Sequence, residues 1–107
     1  MKRRLTYTLV FAPETIAHLR AIDRRYHGLI RKSIEEQLAH NPGQATRNRK
    51  PLEEPAQFGA AWELRFGPSN RCRVLYQVDA FKQMVWVLAI GIKTRDRLVI
   101  GGEEFEL

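Results

Sequence analysis

Two arginines of the sequence stand in neighbouring segments whose pattern brings their side chains together. Arg65 lies in segment 62–66 and Arg73 in segment 71–78, which flank the turn-forming tetrapeptide GPSN and alternate in polarity. Pairing these segments as a β-hairpin places both guanidinium groups on one face of a sheet. A guanidinium binds phosphate and carboxylate oxygens through parallel hydrogen bonds. The pair therefore indicates a site for an anionic group.

More basic residues surround this hairpin in the sequence. They are Arg47, Arg49 and Lys50 before it, Arg71 within it, and Lys93, Arg95 and Arg97 after it. Together they predict a basic surface along the sheet. The alternative is an ordinary solvated face on which Glu63 and Asp96 neutralise part of the charge. The clustering favours the basic surface.

The overall composition agrees with an anionic partner. The chain has 107 residues and a formal net charge of +6, and thirteen of its 18 basic residues are arginine. Such a charge favours a nucleic acid or an acidic protein segment as the partner. With 44% hydrophobic and 28% charged residues, the chain has the composition of a globular protein. We expect one domain over residues 1–107.

Cysteine and histidine usage excludes several kinds of site. Cys72 is the single cysteine, so no intramolecular disulfide is possible, and no Cys/His spacing indicates a metal. We expect Cys72 to be a small core residue and the three histidines to have surface or helix-end roles. The sequence indicates no cofactor. It also has no apolar stretch of the roughly 18 residues that a membrane span needs and no signal peptide, so we expect a cytoplasmic protein without a membrane partner.

Hydrophobic periodicity predicts the elements that position these side chains. The predicted elements are a strand at 5–11, helices at 13–26 and 29–38, and strands at 62–66, 71–78, 84–92 and 97–100. Gly28 is expected to break the two helices. The polar connection before the hairpin is expected to lie on the surface with Leu52 turned inward. The acidic C-terminal end is expected to stay in water.

This order of elements predicts an α+β fold. An N-terminal strand and a helical hairpin pack on one face of a small, mainly antiparallel sheet of four to five strands. The strand at 84–92 is nearly all apolar, so we expect it at the centre of the sheet with both faces covered. The opposite face of the sheet would then carry the basic side chains and be open to a ligand.

Several short motifs of the chain resemble the RelE/ParE superfamily of bacterial toxin–antitoxin toxins. The motifs are Lys50-Pro51-Leu52, WELR at 62–65, RVLYQV at 73–78 and Ala89-Ile90-Gly91. The order of the predicted elements and the C-terminal KTRDRL and IGGEEFEL segments extend the resemblance over nearly the whole chain. The resemblance implies a RelE-like fold and a cognate antitoxin whose acidic or amphipathic segment wraps the basic groove.

The superfamily contains two activities. RelE-type members enter the ribosomal A site and cleave messenger RNA, where a ribose 2′-hydroxyl attacks the adjacent phosphate. ParE-type members share the fold and inhibit DNA gyrase without nuclease chemistry. On the resemblance, we expect a toxin that inhibits translation by ribosome-dependent mRNA cleavage. The alternatives are a gyrase inhibitor and a homologue that has lost toxicity and serves mainly as the partner of its antitoxin.

The resemblance assigns roles to particular residues only in part. Arg73 matches the phosphate-contacting arginine of the superfamily, and Arg95 matches the one after the central strand. The basic residues that the nuclease branch carries in the first hairpin strand fall here on Ala61 and Glu63. The C-terminal tyrosine of that branch falls near Ile100.

The expected site therefore combines a retained phosphate clamp with an incomplete set of proton-transfer groups. Arg65, Lys93 or Glu103 would have to replace the missing groups. We predict catalytic roles for Arg73, Arg95 and Arg65, and RNA contacts for Arg47, Arg49, Lys50, Arg71, Lys93 and Arg97. Because the head of Arg73 should contact phosphate, we also expect it to play no part in supporting the core.

Overall fold

The structure of the chain is a computed structural model that describes residues 6–53 and 57–106. The helices of the described part are α1 (Glu14–Arg20) and α2 (His27–Leu38). The strands are β1 (Thr8–Phe11), β2 (Arg49–Pro51), β3 (Trp62–Phe66), β4 (Cys72–Asp79), β5 (Met84–Thr94), β6 (Arg97–Ile100) and β7 (Glu103–Glu106). Among the described residues, no helix has the length and apolar character needed to cross a membrane. The predicted start of the first strand at Leu5 lies outside the described residues.

The strands form one sheet. Its order is β2-β3-β4-β5-β6-β7 with antiparallel neighbours, and β1 pairs in parallel with β5. β4 occupies one edge of β5. The other edge is shared, because β1 pairs with residues 84–87 and β6 with residues 91–94. β5 is therefore the central strand, as its apolar sequence predicts.

The larger hydrophobic core lies between the helices and one face of the sheet. Ile30, Ile34 and Leu38 recur every four residues in α2, which puts them on one helix face, and each is at most 1% exposed. They belong to the same cluster as Val74 and Val85 of the sheet. Fully burying a side chain of this kind contributes about 1.5–3 kcal/mol. This core holds the central strands under the helices, so the opposite face is the surface on which a site can form.

The opposite face of the sheet carries a second, smaller hydrophobic cluster. Its buried members are Ala60, Leu75, Ala89, Leu98 and Ile100, and Leu52, Leu88 and Phe105 pack against it. The expectation of an entirely open face is therefore wrong, whereas the inward turn of Leu52 is confirmed. The physical reason is the acidic C-terminal end, which forms β7. Pairing of Phe105 with Leu98 brings its ring to this cluster.

The predicted α+β fold is confirmed, with two differences in its elements. The sheet has two strands more than the five marked in the sequence, because the polar connection also contributes β2 and the acidic end contributes β7. The break between the helices lies before Gly28, since α1 ends at Arg20 and α2 begins at His27. Asp23 caps the short 3-10 helix Arg24–Tyr26 that leads into α2, because its side chain accepts a hydrogen bond from the backbone N–H of Arg25.

Candidate functional site

Arg65 and Arg73 lie directly opposite each other on neighbouring strands. In the register of β3 and β4, Arg65 pairs with Arg73, and Glu63 pairs with Leu75. Leu75 belongs to the hydrophobic cluster on the face away from the helices, and residues two apart on a strand share a face. All three charged side chains therefore start from that face. The predicted juxtaposition of the two arginines is confirmed.

Glu63 bridges the two arginines through both of its carboxylate oxygens. Its Oε1 accepts a hydrogen bond from Arg65 Nε at 2.9 Å, and its Oε2 accepts one from Arg73 Nη1 at 3.2 Å. Like charges placed opposite each other on a sheet repel, and the shared carboxylate offsets that repulsion. We call these three residues the arginine–glutamate triad. Because two guanidinium charges share one carboxylate, the triad is singly positive.

The members of the triad differ in their exposure. The side chain of Arg65 is 32% exposed, whereas those of Arg73 and Glu63 are 6% and 7% exposed. Arg73 also donates from Nε to the carbonyl oxygen of Asn70 at 2.8 Å. Buried charges persist when they are paired and hydrogen-bonded, so Arg73 is part of the structure of the hairpin. The expectation that it plays no part in the fold is wrong.

The turn between β3 and β4 places the carbonyl oxygen of Asn70 within hydrogen-bond distance of Arg73. Gly67 has a φ of 81°, and Ser69 and Asn70 also have positive φ values, 54° and 53°. Glycine adopts positive φ without the steric cost of a side chain. A Cβ at Gly67 would in addition lie 2.9 Å from the sulfur of Cys72. The GPSN sequence therefore sets the position of one hydrogen-bond partner of Arg73.

Further basic residues gather at the same end of the sheet. Lys93 lies in β5, and Arg71 lies directly before β4. The backbone N–H of Lys93 donates to the carbonyl oxygen of Arg71 at 2.7 Å, so the two residues are neighbours in space. Arg95 has a φ of 59° in the turn between β5 and β6. A surface cavity of about 360 Å³ is lined by Lys93, Arg95, Asp96, Arg97 and Glu106. We call the set Arg65, Arg71, Arg73, Lys93, Arg95 and Arg97 the basic end of the sheet.

The structure does not bring Arg49 to the basic end. Arg49 pairs with Leu64 in the register of β2 and β3, and Leu64 belongs to the core under the helices. On that side, Arg49 Nη1 donates to the carbonyl oxygen of Gln37 at 2.7 Å, and its Nε donates to that of Gln44 at 3.1 Å. Gln37 lies in the last turn of α2, where carbonyl groups lack helical partners. Arg49 therefore ties the end of α2 to the sheet.

The other two basic residues before the hairpin lie on the surface. Lys50 is exposed and pairs with Glu63 in the register of β2 and β3, so it starts from the same face as the triad. Arg47 is exposed in the segment that precedes β2. Lys50 therefore extends the basic surface along β2, and an RNA contact of Arg47 stays a prediction.

The cavity at the basic end is lined by two carboxylates, those of Asp96 and Glu106, and among the described residues by no tyrosine, cysteine or histidine. Tyr76 is fully buried in the core under the helices, where its hydroxyl donates to the carbonyl oxygen of Pro42 at 2.8 Å. Burial raises the pKa of Tyr76 well above its ordinary value, and Arg49 opposes this in part. Burial also raises the pKa of the Cys72 thiol. Among the described residues, no group of three His, Cys, Asp or Glu residues could hold a metal ion.

The bridging role of Glu63 is the feature that reasoning from the sequence missed. The superfamily resemblance gives a basic residue at the position of Glu63. The alternative of an ordinary solvated face assigns to Glu63 only the neutralisation of nearby positive charge. A signal was present, since Glu63 and Arg65 stand two residues apart on one strand. The contact with Arg73 depends on the hairpin register, which the turn sets.

Comparisons with known proteins identify the fold. No protein-family model and no curated protein matches the chain by sequence. The chain is similar in structure to a chain of the toxin–antitoxin complex RelBE2 from Mycobacterium tuberculosis, with a TM-score of 0.68. The match covers 87% of this chain and 98% of that chain, at 20% sequence identity. It confirms the predicted RelE-like α+β fold.

Proposed function

We propose that this chain is the toxin of a type II toxin–antitoxin module and that it inhibits translation by ribosome-dependent cleavage of messenger RNA. The observation that carries the proposal is the basic end on a RelE-like sheet, where Arg65 and Arg73 stand side by side. The net charge of +6 supports an anionic target. The structurally similar complex is named a toxin–antitoxin complex, which supports an antitoxin as partner. The cytoplasm, where ribosomes translate, is the proposed location.

RNA cleavage of this kind requires three contributions. A base removes the proton of the 2′-hydroxyl, positive groups stabilise charge on the phosphoryl oxygens, and an acid protonates the leaving 5′-oxygen. The guanidinium groups of the basic end supply the second contribution through charge-assisted hydrogen bonds. Removing one donor from such a site typically costs about 10²–10³ in rate. Positioning and charge stabilisation are therefore the main contributions that we assign to this chain.

Inhibition of DNA gyrase is the second candidate function, and one observation favours it. In the part of the chain that the structure describes, the basic end contains neither a tyrosine nor a histidine. Tyr76 is buried in the core under the helices, and Tyr7 and Tyr26 pack against that core. A protein that inhibits its target by binding alone does not need these groups. The same observation favours a homologue that only binds its antitoxin.

Mapping of messenger RNA 5′ ends after induced expression tests the proposal. A ribosome-dependent nuclease produces new 5′ ends within translated messages and none in a message whose start codon has been removed. A gyrase inhibitor produces gyrase-linked DNA breaks and no new 5′ ends. The absence of both would support a protein that acts only through its antitoxin.

Arg65→Ala and Arg24→Ala form a matched pair for this experiment. Each variant removes one positive charge, but Arg24 is exposed in the short 3-10 helix that leads into α2. We expect Arg65→Ala to lose cleavage by about 10²-fold, the usual cost of one oxyanion donor, while Arg24→Ala cleaves like the parent. Equal cleavage by the two variants would exclude Arg65 from the reaction.

A further inference from the structure

We propose that Arg65, and not Arg73, contacts the target phosphate, and that Glu63 is a positioning residue that holds Arg65 for this contact. The inference rests on the proposed function, because it concerns the RNA phosphate at the basic end. It also departs from the superfamily resemblance, which assigns the phosphate contact to Arg73. The hydrogen bonds and the exposure of the triad carry it.

Arg73 is already engaged inside the protein. Its Nη1 donates to Glu63 Oε2, its Nε donates to the carbonyl oxygen of Asn70, and its side chain is 6% exposed. A phosphate that displaced Glu63 from Arg73 would leave a carboxylate that is 7% exposed without this partner. The loss of one partner of a buried carboxylate is destabilising, even though Arg65 would still donate to Oε1. Arg73 is therefore held in a structural role.

Arg65 presents the accessible part of the triad. Its Nε donates the 2.9 Å hydrogen bond to Glu63 Oε1, and its side chain is 32% exposed. Within residues 6–53 and 57–106, neither Nη nitrogen of Arg65 donates a hydrogen bond to a protein acceptor. The Nη nitrogens of a guanidinium form a planar fork that matches two oxygens of a phosphate. An anionic ligand that approaches this face can therefore contact the guanidinium of Arg65 more readily than that of Arg73.

Glu63 acts on the ligand through Arg65. An arginine side chain has many rotamers, and ordering it before binding lowers the entropy that binding must overcome. Glu63 restricts the Arg65 side chain by accepting a hydrogen bond from its Nε. This contact does not involve the two Nη nitrogens, which stay free of the Glu63 carboxylate. Glu63 is itself held by Arg73, which the turn holds through Asn70. This series of contacts connects the turn of the hairpin to the orientation of Arg65.

Charge and positioning make opposite predictions for Glu63→Gln. If Glu63 only neutralised charge, its replacement by an uncharged residue of the same shape would strengthen the binding of an anion. If Glu63 positions Arg65, the same replacement loosens the guanidinium and weakens the binding. The variant therefore separates the two roles.

Nuclear magnetic resonance of the full chain, labelled with ¹⁵N in its arginine side chains, identifies the contacting residue. The protein is titrated with inorganic phosphate and then with a short single-stranded oligoribonucleotide. We expect saturable shifts of the Arg65 side-chain signals, with much smaller shifts at Arg73. Arg65→Ala should bind the oligoribonucleotide at least about tenfold more weakly, Arg65→Lys should be intermediate, and Arg24→Ala should bind like the parent. Shifts at Arg73 in place of Arg65, or equal binding by Arg65→Ala and Arg24→Ala, would overturn the assignment.

The positioning role of Glu63 has its own readout. In Glu63→Gln, the Nε–H of Arg65 should exchange with solvent about tenfold faster or more, because a hydrogen bond to a charged acceptor has been weakened. Oligoribonucleotide affinity should fall at the same time. The positioning role would be overturned if the exchange of the Arg65 Nε–H did not become faster, or if the oligoribonucleotide affinity did not fall. If Glu63→Gln does not fold, Glu63→Asp keeps the charge, shortens its reach and is judged by the same two measurements.

These titrations do not depend on RNA cleavage. Phosphate and oligoribonucleotide binding at Arg65 without any mRNA cleavage in cells would refute the nuclease proposal and leave the assignment of the anion contact in place. Cleavage at the parental rate by a folded Arg65→Ala variant would refute the assignment and leave the nuclease proposal in place.

Discussion

The imidazole Nδ1 of His18 in α1 accepts a hydrogen bond from the backbone N–H of Ile90 in β5, at 3.3 Å. Ile90 lies between the residues of β5 that pair with β1, 84–87, and those that pair with β6, 91–94. His18 thus takes the place of a strand partner at the gap between β1 and β6. An imidazole nitrogen accepts only when it carries no proton, so this contact requires neutral His18.

We predict that protonation of His18 destabilises the fold below neutral pH. Burial lowers the pKa of His18 in the folded chain from the ordinary value of 6.5, and Glu14 opposes this in part. As the pH falls, the unfolded chain therefore takes up the proton first. The stabilisation is complete above pH 6.5 and is lost as the pH falls through the lower pKa of the folded chain. Urea unfolding at a series of pH values measures this loss of unfolding free energy.

His18→Asn is the control for this titration. The Oδ1 of asparagine can accept from the N–H of Ile90 and does not titrate in this range. We expect this variant to lose less unfolding free energy between neutral and mildly acidic pH than the parent loses. The same loss in both proteins would assign the pH dependence to other groups.

We predict that Glu63→Ala costs much more stability than the loss of an exposed glutamate. The variant leaves the buried guanidinium of Arg73 without its carboxylate, and breaking a buried ion pair costs about 3–5 kcal/mol. Glu36→Ala is the matched control, since Glu36 is exposed and lies 3.9 Å from Lys32 in α2. Such an exposed pair contributes about 0.3–0.5 kcal/mol. Urea unfolding that gave equal losses for the two variants would contradict a structural role of the triad.

We predict opposite effects for two glycine-to-alanine substitutions. A Cβ at Gly91 would lie 2.6 Å from the carbonyl oxygen of Val99 and 2.7 Å from Cγ1 of Ile100, so β6 would have to move away from β5. Overpacking of this kind costs about 1–3 kcal/mol. At Gly28, in the first turn of α2, the new Cβ would have no described atom within 4 Å apart from its chain neighbours and the backbone of its own helix, and we expect a gain of up to about 1 kcal/mol. Thermal unfolding checks both signs, and a neutral Gly91→Ala would show that the two strands tolerate a wider separation.

If the proposed function is right, we predict that an antitoxin partner covers the basic end. Co-expression with an antitoxin that carries an acidic segment should raise the yield of soluble complex, because an acidic segment offsets the net charge of +6. Hydrogen exchange of the complex should show new protection in residues 62–73 and 93–97. Arg71→Glu should weaken the complex, because Arg71 is exposed at this end. Protection confined to the helical face would contradict the prediction.

Patterns between neighbours in sequence were sufficient for the order of the main elements and for the pairing of Arg65 with Arg73. Alternation along an extended backbone is a local property, and the GPSN turn sets the hairpin register between its two strands. The central place of β5 is also indicated by its nearly all-apolar composition, which is typical of a strand inside a sheet, although the strand is not fully covered on both faces, since Trp86 is 39% exposed. These features need no knowledge of distant segments.

Contacts between distant segments control the rest of the site. β7 has three glutamates among its four residues, so its sequence indicates a solvated tail, yet pairing with β6 and the burial of Phe105 make it a strand. Arg49 has the same charge as Arg65, but its register turns it to the end of α2. Arg73 is buried because Glu63 and Asn70 lie within hydrogen-bond distance of its guanidinium. An arginine's availability to a ligand depends on the acceptors around its head, and the folding of the whole chain brings those acceptors into place.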